Sequence, residues 1–202
     1  KVSEVPVTYG GKALHNVMNC LPAVLSTYFW RDIEIEDIKL ALQTFVPSSA
    51  QTPGRLNMFQ FKHFQFLVDF AHNPAGLELL CDFISKLDGE PKVGIISGTG
   101  DRRDEDIKEL GRISGRSFDE IIIRQDKNLR GRTAEEIVNL LVEGINETKT
   151  KDIPIEIIYN EKEAIMHAYN NAKPGSLITI MCDVVAEALD LIKGLKEKED
   201  AE

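Results

Sequence analysis

Only three cysteines occur in the 202 residues, Cys20, Cys81 and Cys182. They lie far apart in the chain and form no CxxC pair. That spacing speaks against a disulfide framework or a zinc site and fits a reducing cytoplasm. Each sits in apolar sequence, where a thiol behaves as a small hydrophobe. Long apolar runs are also missing. None approaches the ~20 residues that cross a bilayer, so no membrane span is expected. The opening KVSEVPVTYGGK has neither an initiator Met nor the apolar stretch of a signal peptide, and the chain is read as a piece of a longer protein. Basic residues are too few to dominate: 24 Lys and Arg against 33 Asp and Glu leave a net charge of −9. A nucleic-acid surface is therefore not expected, since phosphate backbones attract Lys and Arg. A small anion held by a few backbone N–H groups and arginines remains compatible with that charge. The chain contains no GxxxxGK[ST] phosphate loop, no HExxH zinc pair and no GxSxG nucleophile elbow, which leaves hydrolase chemistry weakly supported.

What is present suffices for a packed core. Hydrophobic residues make up 43% and charged residues 28%, outside the range of disordered chains. The length suggests one or two domains. Residues 1 to about 50 read as two helices. The first, 12–30, carries Leu14, Val17, Leu21, Val24, Leu25 and Phe29 on a broad apolar stripe, with Pro22 expected to bend or break it. The second, after Glu34, places Ile38, Leu42 and Phe45 at helical spacing. Two such helices cannot hide that much apolar surface against each other. An exposed apolar face, and with it association or poor order, is expected. Residues 47–54 are turn-rich and mark the best domain boundary. From Arg55 onward the rhythm becomes βαβ, with strands at 56–62, 65–70, 92–97, 120–124, 155–159 and 176–181. The first two form a hairpin, and the later ones are apolar on both faces, as in a helix-covered parallel sheet. The expected fold is a Rossmann-like α/β sheet, mostly parallel, with helices on both faces and an N-terminal β-hairpin. The charged residues 197–202 form a tail expected to fray.

Ligands of open parallel sheets bind beyond the carboxyl ends of the strands, and four polar segments fall where that rule applies or beside it. Asp69-Phe70-Ala71-His72-Asn73-Pro74 follows a strand. Asn73 as N-cap and Pro74 at the first helical position explain the turn, but not the flanking Asp69 and His72. Residues 97–106, SGTGDRRDED, combine a glycine turn that can approach an anion with Gly100, Asp101, Arg102, Arg103 and Asp104; a self-neutralising helix start explains them equally well. Residues 124–133 offer one carboxylate, Asp126, with Arg130 and Arg132; the two arginines can clamp carboxylates bidentately, or the segment merely forms a solvated loop. Near the start, Asn16 and Asn19 share a helix face and can read a purine edge or bond locally. His15 alone reads as an ordinary histidine. Arg55 follows Pro53-Gly54 at the domain junction, from where it can reach an interdomain cleft.

In their order these segments resemble the Mur ligase superfamily. His15, Asn16 and Asn19 resemble an HNxxN segment ending the central ATPase domain, Pro53-Gly54-Arg55 the interdomain junction, and residues 69–74 the DFAHNP signature of the C-terminal domain. Residues 100–106 and 130–132 are most similar to the cyanophycin synthetase branch. The resemblance covers nearly the whole chain. It implies residues 1–50 as the incomplete end of an ATPase domain and 54–196 as the C-terminal domain. It implies an ATP-dependent, cytoplasmic amide ligase working through an acyl phosphate, homo-oligomeric at full length. Asn16 and Asn19 would contact adenine, Asp69 the ribose and Arg55 the phosphates, with His72 beside the nucleotide and Arg55 and His72 catalytic. Gly100, Asp101, Arg102, Arg103, Asp104, Asp126, Arg130 and Arg132 would hold the amino acid, arginine in that branch, and an acidic polyaspartate acceptor. Ligands for Mg²⁺ would lie before residue 1, so the chain alone would be inactive. A folylpolyglutamate or peptidoglycan ligase, or a non-catalytic α/β nucleotide-binding or interaction module, are the alternatives.

Overall fold

The computed structural model describes residues 1–30 and 32–201. Two 3-10 turns, Val2–Glu4 and Pro6–Gly11, precede α1 (Leu14–Tyr28) and α2 (Ile35–Thr44). Then follow β1 (Asn57–Gln60), β2 (Gln65–Asp69), α3 (Pro74–Ser85), β3 (Lys92–Ile96), α4 (Asp104–Ser117), β4 (Glu120–Ile123), α5 (Ala134–Thr148), β5 (Ile155–Ile157), α6 (Glu161–Asn170), β6 (Leu177–Met181) and α7 (Val185–Ala201). The six strands form one sheet in the order β1-β2-β6-β3-β4-β5. β1 pairs antiparallel to β2 as the expected hairpin, with Gln60 opposite Gln65; the other pairings are parallel. The architecture is the mostly parallel α/β sheet that the sequence predicts.

Side-chain alternation sends each strand's apolar residues to two cores. On one face Ile121 and Ile123 of β4, Ile96 of β3 and Leu177 of β6 meet α3, α4 and α5 through Phe83, Ile107, Ile113, Leu141 and Ile145. On the other, Ile122, Ile95, Ile178 and Ile180 meet α6 and α7 through Ile165, Leu189 and Ile192. α3 starts where the sequence says it should: Asn73 Oδ1 accepts from the Gly76 N–H at 2.8 Å, and Pro74 follows. α7 departs from expectation. Residues 197–201 are helical, not a frayed tail. Leu195 is buried on the sheet face, Lys62 N–H donates to Glu199 at 3.0 Å, and Lys196 pairs with Glu199 and Asp200.

The N-terminal segment docks on α3. The Tyr9 ring lies tilted against Phe83, 5.1 Å between centroids, and donates its hydroxyl to the Leu56 carbonyl, and Ala13 is fully buried. α1 itself runs through Pro22 as one helix and buries no residue completely. Leu21, Leu25, Phe29 and Trp30 are all more than half exposed, which is the bare apolar face the sequence predicts. Among the described residues no helix is long and apolar enough to cross a membrane.

α4 and α5 approach unusually closely, and glycines make this possible. A Cβ on Gly144 would stand 2.0 Å from the Lys108 carbonyl oxygen, and one on Gly111 2.3 Å from that of Leu141. Gly144→Ala is expected to cost about 1–3 kcal/mol by forcing the helices apart. Gly194→Ala in α7, where an added Cβ meets nothing within 4 Å, should stabilise by roughly 0.5–1 kcal/mol through helix propensity. Urea denaturation midpoints of the two variants check both signs.

Candidate functional site

A cleft of about 330 Å³ opens between the start of α1 and the turn from β2 to α3, and Asn16, Asn19, Arg55, Asp69, His72 and His15 all line it. Three separate stretches of sequence therefore meet at one place. β2 delivers Asp69 at its carboxyl end. Asn73 caps the following helix and holds His72 in the intervening turn, where His72 Nδ1 lies 3.0 Å from the Phe70 carbonyl and the two rings are 4.9 Å apart. Arg55 lies over the Phe70 ring, 5.7 Å from its centroid, and its exposed guanidinium stays available to the cleft. Asn16 donates one amide N–H to the Val7 carbonyl at 2.8 Å, and among the described residues its amide oxygen takes no hydrogen bond. His15, which sequence reasoning left as ordinary, is half-buried here. Burial pushes its imidazole below the usual value, against the pull of Asp69 and Asp82.

Asp69 organises this corner. Its carboxylate accepts the Leu56 N–H at 2.9 Å. Leu56 is buried and adopts φ 48°, a left-handed conformation that a branched side chain rarely takes, and its only backbone donor goes to Asp69. Gly54 has φ 68°, and a Cβ there would lie 2.7 Å from Val185. The Gly54 N–H goes to Asn57 Oδ1 at 2.7 Å. Junction and strand end are thus bolted together, with Arg55 between them. Burial raises the Asp69 carboxyl above its ordinary value. The Leu56 N–H, the Arg55 charge and the Ala71 N–H pull the other way.

The two arginine-bearing loops lie at the same carboxyl edge, after β3 and β4, but they are joined to each other. Arg130 pairs with Asp101 at 2.6 Å, and Arg132 pairs with Asp104 at 2.6 Å while donating to the Gly100 and Arg102 carbonyls at 2.9 Å. Arg103 forks onto Asp106 at 2.8 and 2.9 Å. The clamp expected of Arg130 and Arg132 is therefore occupied by this chain's own carboxylates. Gly100 is required by contact: a Cβ would come within 2.0 Å of the Leu129 carbonyl oxygen. Among the described residues Arg102 makes no ion pair.

Beneath these loops lies the first residue of the 124–133 segment, to which sequence reasoning assigns no role of its own. Arg124, 1% exposed at the end of β4, donates to Asp126 Oδ1 at 2.6 Å and to the Met181 carbonyl of β6, and its Nε faces Glu161 Oε2 at 3.1 Å. Ser97 adds its hydroxyl to the same Asp126 oxygen at 3.0 Å. Next along β6, the Cys182 N–H donates to the Asp69 carbonyl at 2.9 Å. The available signal was a lone charge closing the run Ile121-Ile122-Ile123.

Residues 54–183 match the family described as Mur ligase, glutamate ligase domain. A cyanophycin synthetase of Crocosphaera subtropica is 40% identical over 189 residues, covering 94% of this chain and 21% of that protein. A UDP-N-acetylmuramoyl-L-alanyl-D-glutamate–2,6-diaminopimelate ligase of Aquifex aeolicus is 28% identical over 161 residues, or 80% of this chain and 31% of that protein. The solved structure of E. coli FolC in complex with ADP shares the fold, with a TM-score of 0.64 at 18% identity over 87% of this chain and 38% of that one. The chain spans about a fifth of the length of the cyanophycin synthetases it matches.

The buried carboxyl has a pH consequence. Asp69 ionises in the unfolded chain near its ordinary 3.8 and later in the folded one. Between the two values the folded state holds more protons, so its stability falls as pH rises through that window and levels off above it. Asp69→Asn lacks this titration. The stability difference between wild type and variant is therefore expected to drift toward the variant as pH rises from about 4. Paired denaturation curves across that range measure it; a drift of opposite sign would show the carboxylate to be net favoured by its donors.

Proposed function

This chain belongs to the Mur ligase family, and we propose that it is the C-terminal part of an ATP-dependent amide ligase, with residues 1–50 completing a central ATPase domain and 54–196 forming the domain that closes on it. The observation carrying this reading is the cleft that gathers Asn16 and Asn19 from α1, Arg55 from the junction, and Asp69 and His72 from the end of β2. Its volume suits a nucleotide contacted from one side, and its lining offers amide, carboxylate, imidazole and guanidinium groups in one place. ATP would supply the phosphoryl group that activates a carboxylate for attack by an amine. Asn16 and Asn19 would meet the base, Asp69 the ribose and Arg55 the phosphates, where its positive charge offsets charge gathering in transfer. His72 would stand beside the nucleotide and, with Arg55, act in catalysis.

For Mg²⁺ the fit is poor: the described residues contain no group of three His, Cys, Asp or Glu able to hold a metal. Its ligands are proposed to come from the remainder of the protein. Residues 100–104, Asp126, Arg130 and Arg132 would hold the amino acid and the acceptor chain. Arg130 and Arg132 would do so by exchanging Asp101 and Asp104 for substrate carboxylates. The likeness to cyanophycin synthetases at 40% identity favours arginine as the amino acid and a polyaspartate chain as acceptor. The dependence on ATP, together with unpaired cysteines, fits the cytoplasm.

The test uses the full-length protein with ATP, Mg²⁺, arginine and a polyaspartate primer, following phosphate release as each component is omitted. Release that requires arginine and primer together supports the assignment. Release that requires glutamate or diaminopimelate instead reassigns the substrate within the family. Arg55→Ala is expected to lower kcat roughly 10²–10³-fold, the usual loss of one charge-stabilising donor. The isolated 202-residue chain should form no amide under the same conditions.

A further inference from the structure

The geometry points to Arg124 as a positioning residue for the amino-acid side of the reaction, one that holds the Asp126 carboxylate and the loop behind it in fixed relation to Asp69. This inference rests on the functional reading above. A guanidinium with 1% exposure sits at the sheet edge although the three preceding residues of β4 are isoleucines. An apolar residue of similar volume would pack there with comparable stability, because burying charges offsets most of what their attraction returns. What an apolar residue could not do is hydrogen-bond two segments while its charge faces a third. Arg124 donates to Asp126 in the loop before α5 and to Met181 at the end of β6, and it faces Glu161 at the start of α6. Through Asp126 it also reaches Ser97, in the loop before α4.

Two further bonds extend the frame. Glu161 accepts the Asp183 N–H at 2.6 Å, and Asp183 accepts the Lys127 N–H at 2.8 Å. Cys182 carries the frame to the Asp69 carbonyl. The path from Arg124 to the nucleotide cleft is therefore Met181, Cys182 and Asp69, and the path to the substrate loops is Asp126 and Ser97. Both carboxylates beside Arg124 are largely buried, at 11% and 14% side-chain exposure. They cannot trade it for water or for a substrate group at low cost, so this frame keeps one arrangement.

Arg124 touches neither proposed substrate, so its removal should act through position. Arg124→Lys keeps the charge but loses the fork. In the full-length protein it should raise the KM for the amino acid roughly ten- to a hundredfold, the scale of an ångström-level misplacement; the KM for ATP should stay within about twofold of wild type, because the Leu56 N–H holds the Asp69 carboxylate without Arg124. Ser97→Ala leaves the buried ion pair intact and removes one charge-assisted bond to Asp126. It should raise the same KM about two- to tenfold while lowering the melting temperature by only a few degrees. Ser97→Ala keeps the test decisive should Arg124→Lys fail to fold. An unchanged amino-acid KM in Ser97→Ala, or equal losses on both substrates in Arg124→Lys, overturns the inference. Arg130→Ala and Arg132→Ala, outside the Arg124 frame, separate it from the reading beneath. If they raise the amino-acid KM while the Arg124 and Ser97 variants do not, only the positioning role falls. If they too leave it unchanged, the loops do not hold the amino acid.

Discussion

The site depends on β2, β6, β3, β4 and β5 all running the same way. Because they do, each following loop leaves the sheet at one edge, and residues as distant in sequence as Asp69, Ser97, Asp126 and Asp183 become neighbours. β6 has the central part in this. It is the last strand in the chain, yet it inserts between β2 and β3, the earliest two of the parallel set. The Asp69 corner and the Ser97 loop therefore share no direct strand pairing. What joins them is Met181 and Cys182, whose backbone groups take a hydrogen bond from Arg124 and give one to Asp69. A site assembled through a strand that arrives last is a property of topology, and local sequence carries little trace of it.

That explains which parts were legible beforehand. Strands rich in isoleucine and valine, the Asn73-Pro74 start of α3 and the turn-rich stretch before Arg55 are local signals, set by β-branching, capping and φ restriction over a few residues. They give the fold class and the six strands. Proximity of Asp69 and His72 also follows locally, since one turn carries both. The partners of Arg130 and Arg132 do not follow. They lie 29 and 28 residues back, at Asp101 and Asp104, and only the side-by-side placement of β3 and β4 brings the loops together. The burial of Arg124, for a related reason, does not follow either. The sequence places it at the end of a strand and the start of a polar segment, and what buries it is Glu161 and Met181 arriving from elsewhere. The helical end of α7 was misread because charge density suggested fraying, whereas Leu195 anchors that turn to the sheet.

The first two helices differ from the rest. Their link to the α/β unit is made by few groups: Tyr9 against Phe83 and Leu56, Ala13, and Lys86 reaching the Lys12 carbonyl at 3.4 Å. The outer face of α1 exposes leucines and aromatics together, a patch of the kind that marks an interaction surface in folded proteins. The cleft forms where this lightly attached segment meets the rigid sheet edge. Asn16 and Asn19 sit on the segment; Arg55, Asp69 and His72 sit on the sheet side. A ligand spanning the cleft would thus also bind the two parts together, and its affinity would depend on how firmly the segment is held.

The charges around the edge divide into two sorts, and the division bears on how an acidic protein can hold an acidic chain. At the rim, Arg130 with Asp101 and Arg132 with Asp104 are ion pairs open to water, with side-chain exposures of 46% and 50%, and 25% and 65%. Such pairs contribute little to stability, so a substrate carboxylate can replace the internal one at small net cost. The displaced Asp101 and Asp104 are then free to meet a cationic group on the same substrate. At the base, Arg124 between Asp126 and Glu161 is nearly dry, and losing Arg124 would leave two buried carboxylates without a counter-charge. The rim is therefore exchangeable and the base is not. With a net charge of −9 the chain offers no overall positive charge to attract an anionic polymer; an acidic acceptor of the kind proposed would have to be recognised by local exchange on a frame that keeps the arginines in register.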